Sequence, residues 1–243
     1  MKKIRNLVLF AVMVSLGSLF LISCGTSKDG GSPYSVLGAL GVMEEGSEIT
    51  LDSEITIVKN GKIDFSNIDM PITGEVVSTA TVTLTNDTAG TSEVAPFSLA
   101  DGSYVVPTTF PMNEGDMVSV RIEIDGDIIT GNSTLIPNPD YSNLGPAGSY
   151  PLPYTASWEV SNTSFEASQT MFVIDEAYPG DEGYASLMPI SQTSIQITST
   201  QVSTGEYGMF VMGGNPMNLS GAASGSIIYT VGGSPDFNMV ILY

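Results

Sequence analysis

The sequence predicts an all-β protein with two β-sandwich domains, and three observations lead to that prediction. Apolar residues after Glu48 mostly alternate with polar ones, which is the period-two pattern of half-buried strands. The runs are separated by Gly, Asn, Asp and Ser, the residues that form tight turns. Residues 35–45 are the only candidate helix, and two glycines limit it to one or two turns.

The first half is predicted to contain strands joined by short turns. The clearest spans residues 117–124, where Val118 to Ile124 place every second side chain on one face. Asp125-Gly126 turns it into a strand over 127–130. Asn60-Gly61 is a strong hairpin signal between 55–59 and 62–65, because both residues tolerate the positive φ of a type I′ turn. Further strands are predicted over 80–84, 97–99 and 104–106.

The second half is also predicted to consist of short strands joined by turns, and it follows a change in composition. Five prolines between residues 136 and 153 indicate a boundary, which we place near residue 148. The sequence thus predicts an N-terminal segment over 1–47 and two sandwiches, over 48–147 and 148–243. Six strands are predicted in the last segment, over 154–160, 170–174, 194–198, 207–212, 226–231 and 237–242.

The N-terminus has the three parts of a secretory signal. A basic start precedes an apolar run over residues 7–22, which is shorter than the roughly 20 residues that span a bilayer. The run ends in Leu21-Ile22-Ser23-Cys24, which resembles the lipobox of bacterial lipoproteins. The resemblance implies a signal peptide over 1–23 that is cleaved before Cys24, and a lipidated cysteine with a tether over 24–47. It also implies acyl chains on the sulfur and amine of Cys24 and, with Gly25 following, placement in the outer membrane of a diderm bacterium.

The charge balance excludes several partners. Removal of residues 1–23 takes three positive charges from a net charge of −19 and leaves −22. No Lys or Arg follows Arg121. Nucleic-acid binding relies on Lys and Arg contacts to phosphate, so no nucleic-acid partner is expected. A basic patch for anionic lipids is absent too, so the lipid on Cys24 must hold the membrane by itself.

Two stretches resemble known β-sandwich families. Residues 154–242 resemble fibronectin type III domains, with Trp158 at the position of a buried strand-B tryptophan. Residues 202–207 resemble the turn of a tyrosine corner, in which the hydroxyl of Tyr207 would bond back to upstream backbone. Residues 74–136 resemble bacterial immunoglobulin-like or transthyretin-like modules. These folds host many activities, so the resemblance implies a fold and no function.

No catalytic residues are predicted. The chain has no His, which removes His-based triads and the usual general base near neutral pH. Its one cysteine, Cys24, is the lipidation site and leaves no intrachain disulfide. No nucleophile elbow or phosphate-binding loop occurs. We therefore expect a protein that is not an enzyme and needs no organic cofactor.

The sequence contains two candidate binding sites. Asp175, Glu176, Asp181 and Glu182 concentrate carboxylates around one loop, which suits Ca²⁺ although the spacing is not that of an EF-hand. Loop tyrosines could stack on sugars, namely Tyr141, Tyr150, Tyr154 and Tyr178.

The expected function follows from export and from the absence of catalytic groups. We expect a non-enzymatic, lipid-anchored envelope protein that acts in adhesion, recognition or surface assembly through a protein or glycan partner. One alternative is an accessory subunit of a larger surface or secretion complex. Another is a carbohydrate- or Ca²⁺-binding module.

Overall fold

The computed structural model describes residues 32–42, 53–61, 73–113, 115–135, 140–145, 147–161, 169–176 and 183–243. Within these ranges the chain forms strands and turns and no helix, which confirms the all-β prediction. The sheets form sandwich-like layers.

The strands of the first half carry most of the predicted alternation. They are β1 (Tyr34–Val42), β2 (Glu54–Lys59), β3 (Glu75–Val76), β4 (Thr81–Asn86), β5 (Thr91–Ala95), β6 (Phe97–Ser98), β7 (Ser103–Val105), β8 (Met117–Ile124) and β9 (Asp127–Thr134).

The second half contains two very long strands among short ones. Its strands are β10 (Asp140–Ser142), β11 (Gly148–Tyr150), β12 (Tyr154–Ser157), β13 (Glu159–Ser161), β14 (Gln169–Glu176), β15 (Gly183–Pro189), β16 (Ser194–Ile197), β17 (Gly205–Asn218) and β18 (Ile227–Leu242).

One sheet joins the two halves. Its main path runs β15-β14-β17-β18-β1-β2-β7-β6, with β11 added to β18 and β3 to β2. The link is the parallel pairing of β1 with β18, from Leu37 opposite Ile227 to Val42 opposite Gly232. On its other side β1 pairs antiparallel with β2. The first described strand is therefore a central strand of the sheet.

The first core lies between this sheet and a four-stranded sheet of order β5-β4-β8-β9. Strand β8 alternates as predicted, because Val118, Val120, Ile122 and Ile124 are buried. At its end Asp125 and Gly126 adopt positive φ values of 49° and 91°, as a type I′ turn requires.

The second core lies between strands β14, β17 and β18 of the large sheet and the antiparallel pair β12-β16. Its buried residues include Trp158, Phe172, Tyr207 and Leu242. Each half thus has its own hydrophobic cluster, although one sheet runs through both.

The hairpin of β17 and β18 belongs to both clusters. Met209 and Val240 lie in the second core, whereas Met217 and Ile228 lie in the first. The register shifts between Val211 and Gly213, where the hairpin passes from one cluster to the other. Beyond Asn218, backbone bonds between Thr130 and Ser220 attach the end of the hairpin to the edge of β9.

Two predictions made from the sequence differ from the structure. The helical prediction for residues 35–45 is wrong where the structure describes it, since Tyr34–Val42 is a strand. Asn60 has the predicted positive φ of 52°, but Gly61 does not adopt one, so the predicted type I′ turn is wrong. The returning strand predicted over 62–65 lies outside the described residues, and Glu75–Val76 pairs with the end of β2. The division at residue 148 stays a prediction.

Candidate functional site

The predicted calcium ligands begin at the end of β14. Asp175 lies opposite Gly183 on one side and Gly208 on the other, and Glu176 lies opposite Tyr207. Burial, with a smaller contribution from the charge of Glu176, raises the pKa of Asp175 to about 6. Asp181 and Glu182 lie outside the described residues, so the four-carboxylate site stays a prediction.

The predicted tyrosine platform is only partly exposed. Tyr154 is 7% exposed and belongs to the second core, so its ring is not available to a sugar. Tyr150 packs against the same core, and the two ring centroids are 4.9 Å apart. Tyr141 lies in β10, and Tyr178 lies outside the described residues. Tyr150 and Tyr154 therefore serve packing of the second core.

Trp158 and Tyr207 occupy the positions that the sequence predicts. Trp158 is buried and stacks on Phe172, with ring centroids 5.8 Å apart. Its Nε1 has no hydrogen-bond partner among the described residues. The Tyr207 hydroxyl donates to the backbone carbonyl of Ser203 at 3.2 Å, which confirms the predicted bond to upstream backbone.

A polar cluster that the sequence does not reveal joins the two layers of the first half. Asp125 accepts hydrogen bonds from Tyr34 Oη at 2.6 Å and from Lys59 Nζ at 2.7 Å. The bond from Lys59 and then the bond from Tyr34 lower the pKa of Asp125. The contacts of Lys59 with Asp125 and then with Tyr34 raise the pKa of Lys59. Lys59 also lies 5.4 Å from the ring centroid of Tyr34. The sequence predicts only a turn at Asp125.

A second carboxylate is buried where β8 begins. Asp116 is 9% exposed and accepts bonds from the side-chain amide of Asn86 at 2.6 Å and from the backbone and side chain of Asn113. Burial acts to raise its pKa, but these hydrogen bonds outweigh burial and the pKa is lowered. Asn86 also donates to the carbonyl of Pro111. This satisfied network fixes the connection between β7 and β8.

The carboxylates of the described residues are dispersed. These residues contain no group of three or more His, Cys, Asp or Glu side chains placed to hold a metal ion. The buried Asp116 is already bonded to amides, and Asp125 is held by a cation and a phenol. Both arrangements fit structural roles.

Comparison of the chain with protein-family models and with curated proteins gives no match. No helix within the described ranges combines the length and apolar character needed to cross a membrane.

Proposed function

We propose that the chain is a non-enzymatic, lipid-anchored envelope protein that acts in adhesion, recognition or surface assembly. The carrying observation is the sequence Leu21-Ile22-Ser23-Cys24 at the end of a short apolar run with a basic start. Lipidation of Cys24 would supply at least two acyl chains, enough for stable anchoring. We propose the outer membrane of a diderm bacterium as its location, because Gly rather than Asp follows Cys24.

The position of β1 gives this anchor a short reach. Nine residues separate Cys24 from Tyr34, the start of a strand buried in the centre of the large sheet. Fully extended, the ten steps from Cys24 to Tyr34 span at most about 36 Å. A lipidated Cys24 would therefore keep the acidic protein close to the membrane surface, because only this short segment separates the lipid from the large sheet.

The lack of common catalytic side chains in the sequence supports a binding role rather than an enzymatic one. The whole sequence lacks His, and the lone cysteine lies in the lipobox. We further propose that the second half is fibronectin type III-like. The sheet path β15-β14-β17-β18, the facing pair β12-β16 and the Tyr207 to Ser203 bond support that assignment.

The anchoring claim is tested with two signal variants. Cys24→Ala should accumulate as a precursor that retains residues 1–23 and takes up no labelled palmitate. Ser23→Ala keeps a small residue before the cleavage point, so it should be processed and acylated like the wild type. Cleavage and release of Cys24→Ala without an acyl mass would refute the proposal.

The kind of partner is tested on the unlipidated mature chain. Binding to a glycan array or to immobilised surface proteins supports an adhesin, whereas recovery of one stoichiometric protein from detergent extracts supports an accessory subunit. The accessory role remains the second candidate, because an anchor on one strand and an acidic body suit both.

A further inference from the structure

The registers of the large sheet show in which direction the chain enters and leaves it. Strands β1 and β18 are parallel neighbours, and Val42, the last residue of β1, lies opposite Gly232. Beyond that point β18 continues into the second core, where Val240 and Leu242 are buried. The chain therefore enters the sheet at Tyr34 and leaves it at the opposite end of the strands.

Strand β1 is held on both sides and on both faces. Six of its residues lie opposite residues of β18, and six lie opposite residues of β2. Val36 and Leu37 point to opposite faces of the sheet, and each is 1% exposed. Withdrawal of β1 from the sheet would therefore break two hydrogen-bonded ladders and expose apolar side chains to water.

Further bonds secure the first residues of β1, where the chain enters the sheet. The Tyr34 hydroxyl donates to Asp125 in the opposite layer, and the Tyr34 carbonyl accepts from the backbone N–H of Ala223. The backbone N–H of Val36 donates to Ser226 Oγ at 3.0 Å. These contacts join the start of β1 to the β8-β9 turn and to the connection that precedes β18.

We propose that β1 is a mechanical clamp that carries tension between the membrane anchor and a bound partner. A lipidated Cys24 pulls β1 toward one end of the sheet, whereas a load on the second half pulls β18 toward the other end. Opposite pulls along two parallel neighbours load all the bonds of their ladder at the same time. The same bonds open one after another when the two strands are pulled apart sideways from one end.

The position of the clamp suits a protein that is held at one end and bound at the other. The rate of unfolding under load, and not the equilibrium stability, decides how long a loaded protein stays folded. Because β1 is the first described strand after Cys24, tension from the anchor passes through it before it reaches either core. The existence of that tension in the cell rests on the anchoring proposed above.

The test is single-molecule force spectroscopy of the mature chain, with the thiol of Cys24 as one handle. A second thiol is introduced in one of two variants. Tyr243→Cys loads β1 and β18 lengthwise, whereas Ser224→Cys loads the adjacent starts of the same two strands sideways. Both positions are exposed, so neither substitution should alter the fold, and an unchanged melting temperature checks this.

The two variants contain the same β1-β18 ladder and differ only in the direction of the pull. We expect the unfolding force through Tyr243→Cys to be at least about twice the force through Ser224→Cys at the same loading rate. The first event in the lengthwise pull should release β1 and lengthen the molecule by nearly the whole chain between the handles.

Equal forces in the two directions overturn the proposal. So does a first lengthwise event that extends the molecule by the second half alone, because the resistance would then lie outside β1. Both measurements use the thiol of Cys24 and need no acyl chain. The clamp can therefore fail while the anchoring proposal stands, and anchoring can fail while the clamp stands.

Discussion

Single polar side chains connect parts of this chain that are far apart in sequence. Asp125 ties the β8-β9 turn to Tyr34 and Lys59 on the opposite layer. Tyr229 donates to the side-chain carbonyl of Gln169 at 3.0 Å, linking β18 to β14. Such bonds contribute about 1 kcal/mol each when buried and less when exposed. Their effect is to fix which strands meet rather than to supply most of the stability.

The Tyr207 hydroxyl gives the first prediction. Tyr207→Phe keeps the buried ring and removes the bond to the Ser203 carbonyl, so the free energy of unfolding should fall by about 1 kcal/mol. Urea denaturation of the mature chain measures this. Tyr243→Phe, at an exposed ring, is the control and should change nothing. An unaltered unfolding midpoint for Tyr207→Phe would mean that the bond contributes no stability.

Asp175 gives a prediction about pH. Its folded pKa of about 6 lies above the ordinary value of 3.8, so the unfolded chain loses this proton first. Stability is unaffected below pH 3.8, falls as pH rises between about 4 and 6, and stays lowered above that range. Two pKa units correspond to about 3 kcal/mol, and partial exposure reduces this to about 1–2 kcal/mol.

Asp175→Asn should therefore stabilise the protein by about 1–2 kcal/mol near pH 7.5 and leave it unchanged near pH 3.5.

The same variant tests calcium binding. If Asp175 and Glu176 contribute to a Ca²⁺ site, millimolar Ca²⁺ should raise the melting temperature of the wild type and not of the variant. Equal behaviour of both proteins with Ca²⁺ and with chelator would exclude Asp175 as a ligand.

At the scale of elements, β1 explains why one strand could not be predicted. Its sequence, YSVLGALGV, has buried side chains on both faces, among them Val36, Leu37, Ala39 and Leu40. A central strand covered on both sides loses period two, and a short apolar run then fits a buried helix equally well. Strand β8 covers one core with one face, so its bounds follow from the sequence alone.

The long hairpin was predicted only in pieces for a related reason. The predicted segments 207–212, 226–231 and 237–242 lie in strands except for Ser226, which precedes β18, but the Gly-Gly-Ser-Pro sequence at 232–235 is typical of a turn. In the structure β18 continues past it at a register shift. The cluster around Asp125 was equally hidden, since its partners lie 66 and 91 residues away. Turn chemistry is local, whereas such contacts depend on the whole topology.

The packing of β1 leads to a prediction about glycines. A Cβ on Gly38 would lie 2.8 Å from the carbonyl oxygen of Glu54 and 3.0 Å from Ile55 Cγ1. Gly38→Ala should thus destabilise the fold by about 1–3 kcal/mol through overpacking. Gly214 is the matched control on β17, because a Cβ there meets its nearest atom at 3.5 Å. Gly214→Ala should be neutral, and equal losses at both sites would refute the packing argument.

At the scale of the whole molecule, the two hydrophobic clusters described above share one sheet. Leu135 belongs to the first cluster and Leu144 to the second, so the chain first passes between the clusters within the proline-rich stretch of residues 136–153. The sequence of that stretch predicts a boundary. It does not show that β18 returns to pair with β1 or that Met217 and Ile228 enter the first core. A parallel pairing between strands some 190 residues apart leaves no mark on local sequence, so the joining of the halves could not be predicted.

That joining predicts cooperative unfolding. A fragment ending at residue 147 lacks β17 and β18, which leaves β1 without its parallel partner and exposes Leu40 and neighbouring apolar groups. A fragment of residues 148–243 keeps the second core but carries the unpaired end of the hairpin. We expect the first fragment to aggregate or remain molten and the second to be much less stable than the intact chain.

Calorimetry of the mature chain should show one transition, since unfolding either cluster removes the shared strands from the other. Two separate transitions, with the first fragment folded on its own, would mean that the pairing of β1 with β18 joins two independent domains without coupling their stability.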